Sequence, residues 1–260
     1  MSKDKTAIVW SCAHADPEAS NERFNLLGKL IYDIRPDYCV DLGDGADMTS
    51  LNSYDTRNPA ALVTTSYERD IDHYNDSQER LRHKFKKNKK RMPKWYGFEG
   101  NHENRIKKAI TLDPRLEGDV RGISFKHLNT NQWFDEYHEY EHRAPKLYGY
   151  DGVLYGHFLA SGNFGSATAG IHHAYSMLTK VGSSISVGHS HKYSYYYQGA
   201  SFPKPIIGHV VGCFKGKAEA WAGQANREWR NGVLIKRNIE DGLYDHQWIS
   251  MDQLKKEYSK

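Results

Sequence analysis

Five short polar segments, each set just after a brief apolar run, constrain this chain more than any other feature. They are Ser-Cys-Ala-His (11 to 14), Gly-Asp-Gly-Ala-Asp (43 to 47), Gly-Asn-His-Glu (100 to 103), Gly-His (156 to 157) and Gly-His-Ser-His (188 to 191). Short apolar runs bounded by glycine and polar residues read as buried strands. Open α/β folds place their sites in loops at the carboxyl ends of such strands. A glycine directly before the polar residue permits a tight turn and a close backbone approach.

The spacing between these segments gives the organisation. Residues 7 to 11 read as an opening strand, 21 to 34 as a helix with Asn21 placed to cap it, and 38 to 42 as a second strand after Pro36. A strand, helix and strand in this order predict a parallel pair joined by a crossover. Residues 45 to 66 read as irregular, 67 to 90 as a long charged helix, 94 to 98 as a strand and 103 to 111 as a helix. Residues 112 to 143 read as loop-rich. The second half carries strand patterns at 153–155, 185–187, 193–198, 206–211, 233–236 and 244–249, then a closing helix at 251–258. With no internal repeat and no low-complexity linker, 1–260 reads as a single domain of the α/β class.

Composition excludes several alternatives. Eighteen Tyr and six Trp are too many aromatics for a disordered chain. No apolar run approaches the roughly 20 residues of a membrane-spanning helix, so no membrane partner is expected. Cys12, Cys39 and Cys213 are odd in number and far apart, which speaks against a disulfide framework. With a polar start that has no signal-peptide core, the expected home is cytoplasmic. The formal charge is only +4, but eight Lys or Arg fall between Arg80 and Arg91, a run that can attract a polyanion or simply be a solvated helix face.

The residue types in the five segments suit metal chemistry. Imidazole, carboxylate and amide oxygen together favour Mn, Fe or Zn, where six oxygens would favour Mg or Ca. Gly-His-Ser-His sets two imidazoles on the same side of an extended segment. Each segment alone is an ordinary turn, whereas all five in one chain are hard to ascribe to coincidence.

Their order and spacing resemble the calcineurin-like metallophosphoesterase superfamily, over residues 11 to 191, about 70% of the chain. The resemblance implies a four-layer α/β/β/α sandwich of two mixed sheets with two divalent metal ions (Mn, Fe or Zn) at the strand ends. It implies Asp44 as the carboxylate shared by both ions. His14 and His191, with position 12, would bind the first ion. Asn101, His157 and His189 would bind the second. His102 would face the leaving group as a catalytic residue, oriented by Glu103. The implied reaction is hydrolysis of phosphodiester or phosphomonoester bonds by metal-activated water.

The sequence departs from the superfamily at Cys12, where the pattern has an aspartate. Three readings stand open: a thiolate ligand favouring zinc or iron, a small buried residue that leaves the first site weak, or a relative that binds metal without catalysis. Asp16 is a nearby carboxylate that can stand in. The expected partner is a phosphate-ester substrate, nucleotide or nucleic acid, with the tyrosines at 193 and 195 to 197 able to stack a base or simply to build a strand. Arg105 can reach a phosphate, or pair with Glu99 or Glu103. A protein serine/threonine phosphatase is the alternative enzyme, since Gly-Asn-His-Glu resembles that branch, although Met48 stands where the branch has arginine. The glycine-rich stretch 162 to 170 lacks the Gly-Lys-Ser/Thr of a P-loop and reads as a mobile loop, and His172 and His173 read as loop or helix-start residues.

Overall fold

Ala7, Ile8, Val9 and Trp10 are buried on both faces of the first strand, as a central strand covered on each side requires. The computed structural model describes residues 5–52, 63–141, 145–199 and 204–259. The first half contains β1 (Lys5–Trp10), α1 (Glu22–Ile34), β2 (Tyr38–Asp41), α2 (Tyr67–Lys87), β3 (Lys94–Phe98), α3 (Asn104–Leu112), α4 (Thr130–Trp133) and β4 (Glu136–His138). It continues with β5 (Tyr148–Tyr150), β6 (Val153–Gly156), β7 (Ala160–Ser161), β8 (Ser166–Ala167), α5 (His173–Val181) and β9 (Ser184–Val187). The chain closes with β10 (Tyr193–Gln198), β11 (Ile206–Val211), β12 (Gly232–Glu240), β13 (Leu243–Ser250) and α6 (Met251–Tyr258).

The fold is mixed α/β. Among the described residues one sheet has the order β13-β12-β1-β2-β3-β4 and another β10-β11-β9-β6-β5. β1, β2, β3 and β4 are mutually parallel, with β1 Trp10 level with β2 Asp41. In the second sheet β6, β9 and β11 are parallel. The expected parallel pair and crossover are therefore present.

Three apolar clusters hold these elements. One joins Leu27, Leu30 and Ile31 of α1 and Leu81 and Phe85 of α2 to Ile8 and Trp10 of β1. A second combines Val9 and Val40 of the first sheet with Val153, Tyr155, Ile207 and Val211 of the second. The third sets Met177 and Leu178 of α5 on Ile185, Val187 and Val210. Each fully buried aliphatic side chain contributes about 1.5–3 kcal/mol.

Several local expectations are corrected. Asn21 does not cap α1 with its side chain; its amide donates instead to the His73 carbonyl and Asp76, tying α1 to α2. The loop-rich span contains the edge strand β4, whose register beside β3 comes from tertiary pairing. The glycine-rich stretch forms the β7–β8 hairpin and α5 follows it. Part of the irregular segment, residues 53–62, lies outside the described residues. The basic run does not form one charged face. Arg82 is buried with its guanidinium 4.0 Å over the Trp95 ring, while Arg80 and Lys86 pair with Asp76 and Glu79. No helix among the described residues is long and apolar enough to cross a membrane.

Candidate metal centre

All five polar segments emerge from carboxyl ends of parallel strands. Cys12 and His14 follow β1, Asp44 follows β2, Asn101 to Glu103 follow β3, His157 follows β6, and His189 and His191 follow β9. The chain turns so sharply there that Cys12, His14, Asp44, His189 and His191 all have positive φ. Non-glycine residues held in that region cost of order 1–3 kcal/mol each and cluster at functional sites. The turns also approach closely: a Cβ on Gly188 would lie 1.6 Å from Ser11 Oγ, and one on Gly100 2.1 Å from Asp44 Oδ1.

Two groups of ligand atoms result. His14 Nε2 lies 3.2 Å from His191 Nε2. His157 Nε2 lies 3.1 Å from Asn101 Oδ1 and 3.1 Å from His189 Nδ1. Asp44 joins the groups, its Oδ2 being 3.3 Å from His157 Nε2 and 4.0 Å from His14 Nε2. Cys12 Sγ belongs with His14 and His191 and also with Asp44 and His157, the ligand atoms of each set lying within 4.8 Å of one another.

Neighbouring groups fix the tautomers. His157 donates Nδ1–H to the Leu42 carbonyl (2.7 Å), and His14 donates Nδ1–H to Asp47 (2.7 Å), so each turns Nε2 inward. Burial, then the neighbouring His102 and Lys215, pulls His14 down to about 3. Burial and then His14 pull His191 to about 2, and burial and then His157 pull His189 to about 4. These three imidazoles are neutral near pH 7 and carry ligand lone pairs. Burial opposes a charge on His157, but the contacts with Asp44 outweigh it and raise its pKa. Asp44 is itself buried, which works against its charge, yet His157 and His102 hold it well below the usual carboxylate range. Lone pairs converging at these distances repel unless a cation or proton is shared among them. The donor set therefore fits a divalent metal with nitrogen, oxygen and sulfur ligands.

Cys12 is fully buried, and burial followed by the Asp44 charge pushes its thiol well up. Its sulfur accepts from His189 N (3.2 Å) and lies 3.0 Å from Ser11 Oγ. Asp16 does not stand in for it, because its carboxylate is paired with Lys217 at 2.6 Å.

His102 sits at the mouth. Its Nδ1 donates to the Asp47 carbonyl (2.8 Å), and the Asp47 carboxylate lies 3.1 Å away. Its backbone N–H donates to Asp44 Oδ1 (2.9 Å). Arg105 donates to His102 Nε2 (3.3 Å) and to the Asp47 carbonyl (2.9 Å) rather than pairing with Glu99 or Glu103. Glu103 accepts from the backbone N–H groups of Asp44, Ala46 and Gly100 at 3.1, 2.8 and 2.8 Å. It thus braces the two loops, and the carboxylate beside the His102 ring belongs to Asp47. Burial and then Asp44 raise Glu103 to about 8.

Sequence reading passed over Asp47 as a site residue although it closes the Gly-Asp-x-x-Asp segment. It also passed over Lys215 and Trp229, which no motif marks. The Trp229 ring packs edge-on against His191 (4.4 Å), and Lys215 lies over the same ring and pairs with Glu219.

Comparison with known proteins gives distant likenesses. The chain is similar to a conserved uncharacterized protein of Streptococcus pneumoniae described as a predicted phosphoesterase, at 10% identity and a TM-score of 0.41, over 97% of this chain and 92% of that one. It is also similar to the protein TT1561 of Thermus thermophilus, at 8% identity and a TM-score of 0.36, over 95% and 99%. No family model and no curated protein matches the chain. Likenesses this low carry nothing about activity, and the chemistry is read from the side chains themselves.

Proposed function

We propose that the chain is a metal-dependent phosphoesterase whose two sheets and flanking helices form the four-layer sandwich of the calcineurin-like enzymes. The observation that carries this reading is the position of Asp44 Oδ2 between the His14–His191 and His157–His189–Asn101 groups. One divalent cation would be held by His14, His191, Cys12 and Asp44, the other by Asp44, Asn101, His157 and His189. Cations there would make water acidic enough to attack phosphorus near neutral pH and would offset charge on the phosphate oxygens.

The chain's own groups supply the rest. The His102 N–H holds Asp44 Oδ1, leaving Oδ2 for the centre. His102, anchored through Nδ1, would take a proton from solvent water at Nε2, releasing the Arg105 contact there, and would deliver it to the departing oxygen. Arg105 beside it favours an anionic substrate, in our reading a phosphate ester of a nucleotide or nucleic acid.

A panel of bis-para-nitrophenyl phosphate, para-nitrophenyl phosphate, nucleotides and phosphopeptides tests this. The expected result is diester cleavage at least as fast as monoester cleavage, abolished by chelation and restored by Mn or Zn. Cleavage of phosphopeptides alone would favour the protein phosphatase reading. A metal-loaded protein that cleaves nothing would favour a non-catalytic relative.

A further inference from the structure

A cavity open to solvent lies between the two sheets, at the ends of the strands away from the metal centre. It has a volume of about 480 Å³ and is walled by Tyr195 and Tyr197 of β10, Tyr244 and His246 of β13, and the pair Asn238 and Asp245. It sits beside Ile207 at the start of β11, whose N–H bonds Ser184 at the start of β9, whereas the metal ligands follow the end of β9. The four residues of β9 therefore set the two sites about 13 Å apart or more, at about 3.3 Å per residue.

The walls are rigid below and open above. Tyr244 is buried, its hydroxyl 2.9 Å from His209 Nδ1, and His209 Nε2 lies 3.3 Å from the Tyr193 hydroxyl. Lys236 beneath is fully buried, bonding Ser186 (2.7 Å) and Tyr155 (3.1 Å). Above this floor the Tyr195 ring stands 4.3 Å from the His246 ring, and Tyr197 is 50% exposed. The pairing of β12 with β13 slips between Arg237 and Glu240, and Asn238 adopts a positive φ. Such a bulge re-aims the side chain it carries. The Asn238 amide donates to Asp245 Oδ2 at 2.7 Å, leaving an amide oxygen and a carboxylate oxygen at the rim.

We infer that this cavity is a binding site for a purine nucleoside, separate from the metal centre. Its size suits one such molecule. The Tyr195 and His246 rings pack on each other, but the half-exposed Tyr197 ring offers a stacking face, which the two-ring purine covers more fully than a pyrimidine does. The Asn238–Asp245 pair offers acceptors for the N–H groups on the edge of the base. None of the lining residues is lysine or arginine and one is a carboxylate, so the pocket selects an uncharged nucleoside over a phosphate chain. The polar rim equally disfavours an acyl chain. Nothing in this assignment depends on the phosphoesterase reading, because a nucleoside carries no phosphate ester.

Calorimetric titration of the full chain with guanosine, adenosine and uridine tests it. The expected result is saturable one-site binding of the purines, weakened roughly tenfold or more in Tyr197→Ala and also weakened in Asp245→Ala, but unchanged in Asp44→Asn. Both pocket residues are exposed, so these variants keep the fold, which circular dichroism checks. Absence of saturable binding would overturn the site. Loss in Asp44→Asn with retention in Tyr197→Ala would move the ligand to the metal centre, and equal binding of uridine would overturn the purine assignment.

Discussion

Asp47 lies 2.7 Å from Nδ1 of His14, so a residue outside the set of candidate ligands fixes which nitrogen of His14 faces the centre. The same carboxylate lies 3.1 Å from Nδ1 of His102. Partners of this kind set ligand orientation and basicity, and their loss costs about 10–100-fold in metal affinity or activity. Asp47→Ala is expected to lower metal affinity within that range, measured by competition with a chromophoric chelator. Unchanged affinity would leave Asp47 a purely structural residue.

A ligand atom of His102 lies within 4.8 Å of those of His14 and Asp44, but its Nδ1 bonds the Asp47 carbonyl and its Nε2 accepts from Arg105, so His102 stands outside both proposed ion sites. Its substitution should separate binding from turnover. His102→Ala is expected to keep its metal content while hydrolysis falls by about 10²–10⁴-fold, the range of a general acid. Metal analysis and initial rates on one sample check both halves.

Gly100 is packed against Asp44 so closely that an added methyl would lie 2.1 Å from Oδ1 and 2.4 Å from the backbone nitrogen. Gly100→Ala is expected to cost about 1–3 kcal/mol through overpacking and to displace Asp44. Thermal unfolding should show the first effect and metal titration the second.

These contacts indicate how far the sequence could be read. The glycine-led segments were legible because a strand end, a tight turn and a polar side chain leave a local pattern, and Asp44, Asn101, His157 and His189 from them come together. Cys12 was legible only as a departure; its closeness to both ligand groups is a matter of tertiary geometry. The role of Glu103 as a brace was not legible, since its partners are backbone N–H groups that no sequence spells out. Lys215 and Trp229 arrive on a loop far along the chain, with no spacing that ties them to His191. The edge strands β4 and β5 are three residues each and owe their form to pairing, which a short apolar pattern does not encode.

Lys236 gives a pH test away from the candidate metal ligands. It is fully buried, and burial lowers its pKa well below the 10.5 of a free lysine. The unfolded chain then binds a proton that the folded chain does not, so this residue makes stability rise with pH up to about 10.5. Relative to Lys236→Met, the wild type should gain stability between pH 7 and pH 10. Urea midpoints for both proteins across that range measure the difference, and parallel curves would contradict it.

The central claim is tested most directly by metal stoichiometry, measured by inductively coupled plasma mass spectrometry together with bis-para-nitrophenyl phosphate hydrolysis. Wild type and Asp44→Asn would be compared after reconstitution with Mn or Zn. The account expects about two ions per chain and metal-dependent hydrolysis in the wild type, with both reduced in Asp44→Asn. A fully loaded, fully active Asp44→Asn protein, or a wild type that binds no metal, would contradict it.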